Sequence, residues 1–163
     1  MPFKTTIAKC REEAKKEHWI AAGADAAHSS ENVRKGCVAA VKALTNAPET
    51  AEWRRGKKVR HHPGIEPGTA IATFSVMKDE ETFGYKGHAA IYARQDSTGL
   101  HVYDQYIDKS FGLRKIFFKC KGYVSNDGDA YFVIEAEQDS LTTDPLICKK
   151  PPPPNSIEEG NGI

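Results

Sequence analysis

The sequence predicts an α+β fold, in which N-terminal helices pack on an antiparallel sheet of about five strands. Helical patterns are confined to the first part of the chain and end at Leu44, whereas strand patterns follow between Thr69 and Glu135. Helices and strands that are segregated along the chain, instead of alternating, are typical of α+β domains. The 163 residues, of which 39% are hydrophobic, suffice for one buried core.

Composition limits the classes of function. The 23 basic and 22 acidic residues give a net charge of +1, so the chain lacks the positive excess that binds nucleic acid. No apolar run reaches the ~20 residues that span a membrane. The four cysteines are widely spaced and form no paired-cysteine metal motif, so we expect neither a metal nor another cofactor.

The two ends of the chain differ from its middle. The first residues lack the apolar segment of a Sec signal, so we expect the protein to be made in the cytoplasm without one. Residues 1–138 are expected to form a single domain. Residues 139–163, which include Pro151–Pro154, have no hydrophobic pattern and are expected to be an extended or disordered tail.

Two helices are predicted in the first part of the chain. Residues 4–18 form the first, because apolar residues recur at helical spacing. The second runs from about Cys37 to Leu44 and ends at Asn46-Ala47-Pro48. Cys37 then lies in the first turn, where the positive end of the helix dipole favours a reactive thiolate. A cysteine that simply packs in the core is the alternative.

The rest of the domain is predicted to alternate strands and loops. Residues 49–67, 77–87 and 106–112 are expected to be loops or irregular segments, since they are polar or rich in Gly and Pro. The predicted strands are Thr69–Phe74, Gly87–Arg94, Leu100–Gln105, Arg114–Lys119 and Ala130–Glu135.

The second and third of these strands form a hairpin that brings two chemically active residues together. If His88 is paired with Asp104, Tyr92 faces Leu100 and the loop is Arg94–Thr98. Strand alternation then places His88 and Asp104 on one face, with His101 on the other. A carboxylate beside an imidazole orients the ring as a general base. With Cys37 as the nucleophile, the three residues have the composition of a site for acyl transfer.

The residues around His88 resemble the NlpC/P60 superfamily of papain-like peptidases and amidases. In that superfamily the histidine opens a strand of the form Gly-His-Val-Gly-Ile-Tyr, and here Gly87–Tyr92 occupies the same place. The resemblance is closest to the small amidase effectors delivered by bacterial type VI secretion, through the strand Gly68–Phe74 and the segment Tyr103–Gln105. It implies a papain-like fold and a cysteine hydrolase.

The resemblance also implies a substrate and a setting. The expected activity is hydrolysis of amide bonds in peptidoglycan peptides by an antibacterial effector, secreted without a Sec signal, active in the target periplasm and inhibited by a cognate immunity protein. Cys37 would attack, His88 would transfer the proton and Asp104 would orient His88. Candidates for oxyanion or substrate contacts are Asn32, Tyr85 and Gln105. The alternatives are an intracellular cysteine protease or deamidase on the same fold, or a non-catalytic binding module.

Overall fold

Two α-helices lie in the residues described by a computed structural model, which are 1–21, 30, 34–79 and 81–136. The first, α1, spans Ile7–Lys15 and is shorter than the predicted helix over residues 4–18. It begins after Thr6, whose hydroxyl accepts a hydrogen bond from the backbone N–H of Lys9 at 3.2 Å. This N-cap sets the start of the helix. No helix among the described residues is long and apolar enough to cross a membrane.

The second helix, α2, spans Cys37–Thr45 and carries the cysteine at its first residue, as the sequence predicts. Gly36 before it has an extended backbone, and Asn46 after it adopts the left-handed conformation with a φ of 57°. A left-handed residue of this kind ends a helix by capping its last carbonyl groups. Val41 is fully buried, so α2 turns its apolar side to the core.

Within the described residues the sheet has six antiparallel strands, one more than expected, in the order β1-β6-β2-β3-β4-β5. The strands are β1 (Trp53–Lys58), β2 (Ala70–Val76), β3 (Phe83–Gln95), β4 (Gly99–Tyr106), β5 (Lys109–Phe117) and β6 (Tyr131–Ala136). The additional strand is β1, which lies at a sheet edge within the segment 49–67 that was predicted to be a loop. Only Trp53 in β1 is fully buried, and the basic residues that follow it conceal the strand pattern.

Strands β3 and β5 both begin earlier than predicted. The expected loop over residues 77–87 contains the start of β3, and the expected irregular segment 106–112 contains the start of β5. Pairing explains the difference, because Phe83 pairs with Val76 and Lys109 pairs with Tyr106. Hydrogen bonds to an existing strand outweigh the weak local preference of these polar, Gly-containing segments.

The β3–β4 hairpin has a different register from the predicted one. Tyr92 pairs with Val102 and not with Leu100, so the strands are displaced by two residues on the side of His88, and a bulge between Tyr92 and Arg94 shifts the register again towards the turn. Side chains alternate faces with a period of two, so this displacement leaves His88 and Asp104 on the same face of the sheet. The prediction that His88 and Asp104 lie close together on one face is unaffected, because the error in register near these residues is an even number of residues.

The hairpin turn is also shorter than predicted, covering residues 96–98 instead of Arg94–Thr98. Asp96 closes it, because one of its carboxylate oxygens accepts the backbone N–H groups of Thr98 and Gly99 at 2.8 and 3.1 Å. This side-chain bond to the following residues is the usual role of Asp in a tight turn.

The residues before α1 lie against the start of β2. The backbone N–H of Thr5 donates to the carbonyl of Gly68 at 2.9 Å, and that of Ala70 donates to the carbonyl of Phe3 at 2.8 Å. Gly68 has a φ of 93°, and a Cβ at this position would lie 1.9 Å from the Thr5 carbonyl oxygen. Glycine therefore permits both the turn and the close approach of the N-terminal segment.

Both faces of the sheet are buried. One face packs against the two helices, with a core that includes Cys10, Val41, Trp53, Ile91, Tyr103 and Ile134. The opposite face has a second core that includes Val59, Ile71, Leu100, Val102, Ile116 and Tyr131. Helix α2 packs mainly on β3 and β4. Its N-terminus and the thiol there therefore lie close to the hairpin.

Candidate active site

The thiol of Cys37 contacts three groups on β3. Its Sγ lies 3.5 Å from the hydroxyl of Tyr85. The thiol also forms hydrogen bonds with the His88 ring and with the backbone of Ala89. It is partly buried and free of any disulfide. A thiol in contact with an imidazole is the arrangement from which a nucleophilic thiolate forms.

These surroundings favour the thiolate form of Cys37. Burial raises the pKa of the thiol, but the hydrogen bond and positive charge of His88 outweigh it, with smaller contributions from Tyr85 and Ala89. The net result is a pKa below the ordinary value of 9.0. The position at the first residue of α2 acts in the same direction, because a helix N-terminus stabilises negative charge.

A bulge in β3 holds His88 in place. Ala72 of β2 pairs with Ala89, but Phe74 pairs with Tyr85, so β3 carries extra residues between these two pairs. Thr73 lies opposite the bulge, and its hydroxyl accepts the backbone N–H of His88 at 3.0 Å and donates to the carbonyl of Lys86. Such bulges are common beside active sites, where they redirect a side chain.

Gly87 makes this bulge possible. It has a φ of 110°, which disfavours other residues. A Cβ on Gly87 would also lie 2.5 Å from the Thr73 hydroxyl oxygen, the atom that clamps the bulge. In the Gly-His pair of the sequence motif, Gly87 therefore permits the bend of the backbone, and that bend sets the direction of the His88 side chain.

His88 and Asp104 form a buried pair. Nε2 of His88 lies 2.7 Å from Oδ2 of Asp104, and their side chains are 7% and 0% exposed. Burial lowers the pKa of His88, but hydrogen bonds to Asp104 and Cys37 and their negative charges raise it to about 9. Because Nε2 faces Asp104, the nitrogen that remains for the thiol is Nδ1. The ring therefore connects the thiol to the carboxylate.

Two cations of β5 complete the surroundings of Asp104. Nε and Nη2 of Arg114 donate to Oδ2 at 2.8 and 2.6 Å, and Nζ of Lys109 donates to Oδ1 at 3.3 Å. Burial raises the pKa of Asp104, but the bonds to His88 and Arg114 lower it to about 2, so the carboxylate stays ionised. Neither cation was predicted from the sequence, although Arg114 pairs with Val102, two residues from Asp104.

Tyr85 lies between the thiol and the core. Its ring meets the Trp53 ring edge-on, with centroids 5.0 Å apart, and its hydroxyl also lies 3.4 Å from the carbonyl of Gly87. Burial, and next the negative charge of Cys37, raise the pKa of Tyr85 far above its ordinary value. Tyr85 is therefore a neutral hydroxyl that can donate a hydrogen bond beside Sγ.

Gln105 has a different role from the expected contact with oxyanion or substrate. Its side chain is fully buried, and Nε2 donates to the carbonyls of Ile20 and Gly36 at 2.8 and 3.0 Å. Oε1 accepts the backbone N–H of Ile20 at 2.8 Å. Both amide hydrogens are used, which leaves none for an oxyanion, and the side chain instead ties the residue before Cys37 to β4. Asn32 lies outside the described residues.

Aromatic residues border the site on the side of β4. The ring of Tyr106 meets the His88 ring edge-on at 6.4 Å between centroids. The backbone carbonyl of Tyr106 accepts a hydrogen bond from Nε1 of Trp19 at 2.8 Å, and Nζ of Lys35 lies 4.4 Å from the centre of the Trp19 ring. Tyr106 therefore lies beside the imidazole and is bonded to Trp19 in the segment after α1.

A cavity of about 680 Å³ opens on the side of Tyr85. It is lined by Thr50, Ala51 and Arg54 on one side and by residues between Met77 and Tyr85 on the other. Its volume is within the range of small-molecule and peptide sites. Tyr85 lines this cavity and also contacts Sγ, so the cavity lies beside a residue of the candidate site.

The second histidine of the hairpin belongs to a separate cluster. Nε2 of His101 lies 2.7 Å from Oδ2 of Asp96, and Nζ of Lys115 binds the same oxygen at 3.0 Å. The cluster supports the hairpin turn and does not include Asp104. Among the residues that the structure describes, no three His, Cys, Asp or Glu side chains are grouped to hold a metal ion.

The site combines an α+β fold with a cysteine thiol, an imidazole and a carboxylate in one series of contacts. This combination is typical of thiol-dependent hydrolases. Comparison with known families is more specific. The family model described as domesticated amidase effector 2 matches residues 3–134. The chain therefore belongs to the domesticated amidase effector 2 family.

Individual relatives agree with this family. The chain is 38% identical over 106 residues to the domesticated amidase effector 2 of Ixodes scapularis, a match that covers 63% of this chain and 72% of that protein. It is 30% identical over 132 residues to a type VI secretion amidase effector 2 protein of Salmonella typhi, covering 72% and 98%. The solved structure of a type 6 secretion amidase effector 2 matches with a TM-score of 0.54 and 25% identity, covering 78% and 94%.

Proposed function

We propose that this protein is a cysteine amidase of the papain-like NlpC/P60 superfamily that hydrolyses amide bonds in the peptides of peptidoglycan. The observation that carries the proposal is the series Cys37–His88–Asp104, in which the thiol begins a helix, the imidazole contacts it and the carboxylate is buried behind the ring. The order of these residues along the chain, helix first and two neighbouring strands next, supports the superfamily. Membership of an amidase effector family supports the type of bond.

The reaction follows from the charges in the site. The Cys37 thiolate attacks the carbonyl carbon of the amide, and the carbonyl oxygen becomes an oxyanion. As the C–N bond breaks, the His88 imidazolium gives its proton to the leaving amine, and the acyl group remains on Sγ as a thioester. His88 then removes a proton from a water molecule, which attacks the thioester and releases the carboxylic acid and the thiolate. Asp104 keeps the ring oriented throughout.

Two groups are placed to stabilise the oxyanion. The backbone N–H of Cys37 belongs to the first turn of α2, where N–H groups have no partner within the helix. The neutral hydroxyl of Tyr85, 3.5 Å from Sγ, is the second. Donors positioned where negative charge develops are usually a large part of the rate enhancement in acyl transfer.

The cavity beside Tyr85 is the proposed position of the peptide substrate on one side of the cleaved bond. It lies beside Tyr85, and its charged lining residues are two basic ones, Arg54 and Lys78, and one acidic one, Asp79. Peptides that carry free carboxylates, as the stem peptides of peptidoglycan do, suit such a lining.

The biological setting is part of the proposal. The relative from Salmonella typhi is named a type VI secretion effector. We infer for this chain an antibacterial role in the periplasm of a target cell, after secretion by a route that needs no Sec signal, with an immunity protein as a partner. We also propose residues 1–138 as the catalytic domain and residues 139–163 as a tail outside it, since β6 ends at Ala136 and the family match ends at residue 134.

The test is digestion of purified peptidoglycan sacculi, followed by mass analysis of the released fragments. The wild-type protein should release fragments cut at an amide bond, and Cys37→Ala and His88→Ala should lose activity by about 10³-fold or more. His101→Ala, which removes the other histidine of the same hairpin, should retain most activity. Sacculi with intact amide bonds after exposure to folded wild-type protein would contradict the substrate. An active His88→Ala would contradict the mechanism.

A further inference from the structure

The Asp104 carboxylate is shared between His88 and a cation. Oδ2 accepts Nε2 of His88 at 2.7 Å, and the same oxygen accepts Nε and Nη2 of Arg114 at 2.8 and 2.6 Å. The Asp104 side chain is fully buried, and that of Arg114 is 19% exposed. One buried oxygen thus holds the imidazole and the guanidinium side by side, and Arg114 acts on the bond that orients His88.

Arg114 reaches the imidazole by a second path. Its guanidinium carbon lies 5.7 Å from the centre of the Tyr106 ring, and that ring meets the His88 ring edge-on. The ring of His88 is therefore held by a carboxylate and by an aromatic ring, and Arg114 contacts both of them. A planar guanidinium is suited to this double role, because it forms directed hydrogen bonds at its edge and stacks through its face.

We propose that Arg114 is a positioning residue of the active site, which holds the Asp104 carboxylate and the Tyr106 ring against His88 and limits how tightly the imidazole keeps its proton. The inference rests on the proposed function for its role in catalysis, but its effect on His88 is measurable without a substrate.

The charges around the pair determine the direction of this effect. Among the residues that the structure describes, the titratable or charged groups near His88 and Asp104 are Cys37 on α2, Tyr85 on β3, Tyr106 on β4, Lys109 and Arg114 on β5, and Tyr131 on β6. Arg114 is the cation that binds the same oxygen as His88, whereas Lys109 binds the other oxygen at the longer distance of 3.3 Å. A cation beside the carboxylate opposes the positive charge of the imidazolium. His88 therefore releases its proton to a leaving group more readily than it would beside a lone Asp.

The experiment is a pH titration of the His88 ring by NMR in the full chain. In Arg114→Gln, which keeps a hydrogen-bond donor but loses the charge, the titration midpoint of His88 should rise by about one pH unit. Lys115→Gln is the matched control, because it removes one positive charge from the same strand and breaks an ion pair to Asp96 instead. It should leave His88 unchanged.

A second variant distinguishes the effect of the positive charge from that of the hydrogen-bond geometry. It can be measured even if Arg114→Gln folds poorly. Arg114→Lys keeps the charge but loses the two-pronged contact, so the His88 midpoint should stay within about 0.3 pH units while kcat falls by about tenfold at an unchanged KM. An unchanged midpoint in folded Arg114→Gln, or an equal shift in Lys115→Gln, would overturn the proposal. A wild-type protein that cleaves no amide bond would refute the proposed function but leave the titration result standing.

Discussion

At the scale of single residues, the surroundings of Cys37 and His88 favour transfer of the thiol proton to the imidazole before any substrate binds. The pKa of Cys37 is lowered by its neighbours, and that of His88 is raised to about 9. Both directions favour the thiolate–imidazolium form of the pair over the neutral form. This form supplies the nucleophile and the acid that the proposed reaction needs.

This ion pair predicts the pH dependence of thiol alkylation. Iodoacetamide should modify Cys37 at a lower pH than it modifies an ordinary thiol, because the pKa of Cys37 is lowered. In His88→Gln the profile should return towards that of an ordinary thiol, because the cation that favours the thiolate is missing. Where an assay with substrate exists, kcat/KM should fall as pH rises through about 9 and His88 loses its proton.

Peptide mapping by mass spectrometry gives the measurement its internal control. Cys10 is fully buried, and burial raises the pKa of its thiol to about 11, so it should stay unmodified while Cys37 reacts. Identical pH profiles for Cys37 in the wild type and in His88→Gln would show that the imidazole does not activate the thiol.

Some of the site was predictable from residues alone, and the reasons are physical. Strand alternation placed His88 and Asp104 on one face, and helix patterning placed Cys37 at a helix start, because both depend on local periodicity. The partners Arg114 and Lys109 depend on how β5 pairs with β4, which local patterns do not reveal. Gln105 was assigned a contact with oxyanion or substrate, since nothing in the sequence shows that Ile20 returns to pair with its amide.

At the scale of secondary-structure elements, the bulge of β3 connects the fold to the chemistry. The Thr73 hydroxyl holds the backbone on both sides of Gly87 and so sets the direction of His88. Without the hydroxyl, Gly87 allows the bulge to relax. The orientation of His88 then depends only on its side-chain contacts.

Replacement of Thr73 by Val tests this connection. The loss of a buried hydrogen bond should lower the free energy of unfolding by about 1 kcal/mol, and amidase activity should fall by about tenfold as His88 loses its orientation. Thr69→Val is the matched control, because the Thr69 hydroxyl donates to the carbonyl of Glu66 at 2.7 Å away from the bulge. It should have a similar effect on urea unfolding, with little effect on activity. Equal activity of Thr73→Val and Thr69→Val would show that the Thr73 hydroxyl does not orient His88.

The elements themselves were predictable to different degrees. Helix α2 was predicted well, because its apolar stripe and its Asn-Ala-Pro ending are local signals. Strand β1 was missed, since a basic edge strand with one buried residue has no alternating pattern. The hairpin register was wrong by two residues at Tyr92, an error that the pattern cannot reveal because it leaves the side chains there on the same faces of the sheet. Only the turn chemistry of Asp96 could have corrected it.

At the scale of the whole molecule, Gly68 joins the N-terminal segment to the sheet. In Gly68→Ala the new Cβ would lie 1.9 Å from the Thr5 carbonyl oxygen, and the residue would keep a φ of 93°. Both the clash and the backbone strain destabilise the folded state, so the free energy of unfolding should fall by about 3 kcal/mol or more in urea titrations.

Gly122→Ala distinguishes the steric clash from the backbone strain as the cause of the lost stability. Gly122 also has a positive φ, of 117°, but a Cβ there would have no heavy atom within 4 Å. This variant should therefore show only the strain, about 1 kcal/mol. If the two variants were equally stable, the contact between the N-terminal segment and β2 would have no part in stability.

The arrangement of tryptophans has an optical consequence. The sequence contains two, and each contacts a different residue that borders the site. Trp53 is fully buried and meets Tyr85 beside the thiol, whereas Trp19 is half-buried and is bonded to Tyr106 beside the imidazole. Tryptophan fluorescence of the native chain, excited selectively over tyrosine, therefore reports on the surroundings of the site. A Trp19→Phe or Trp53→Phe protein would contain a single tryptophan. Stopped-flow fluorescence of the two variants would therefore follow the surroundings of the thiol and those of the imidazole separately, without an added dye.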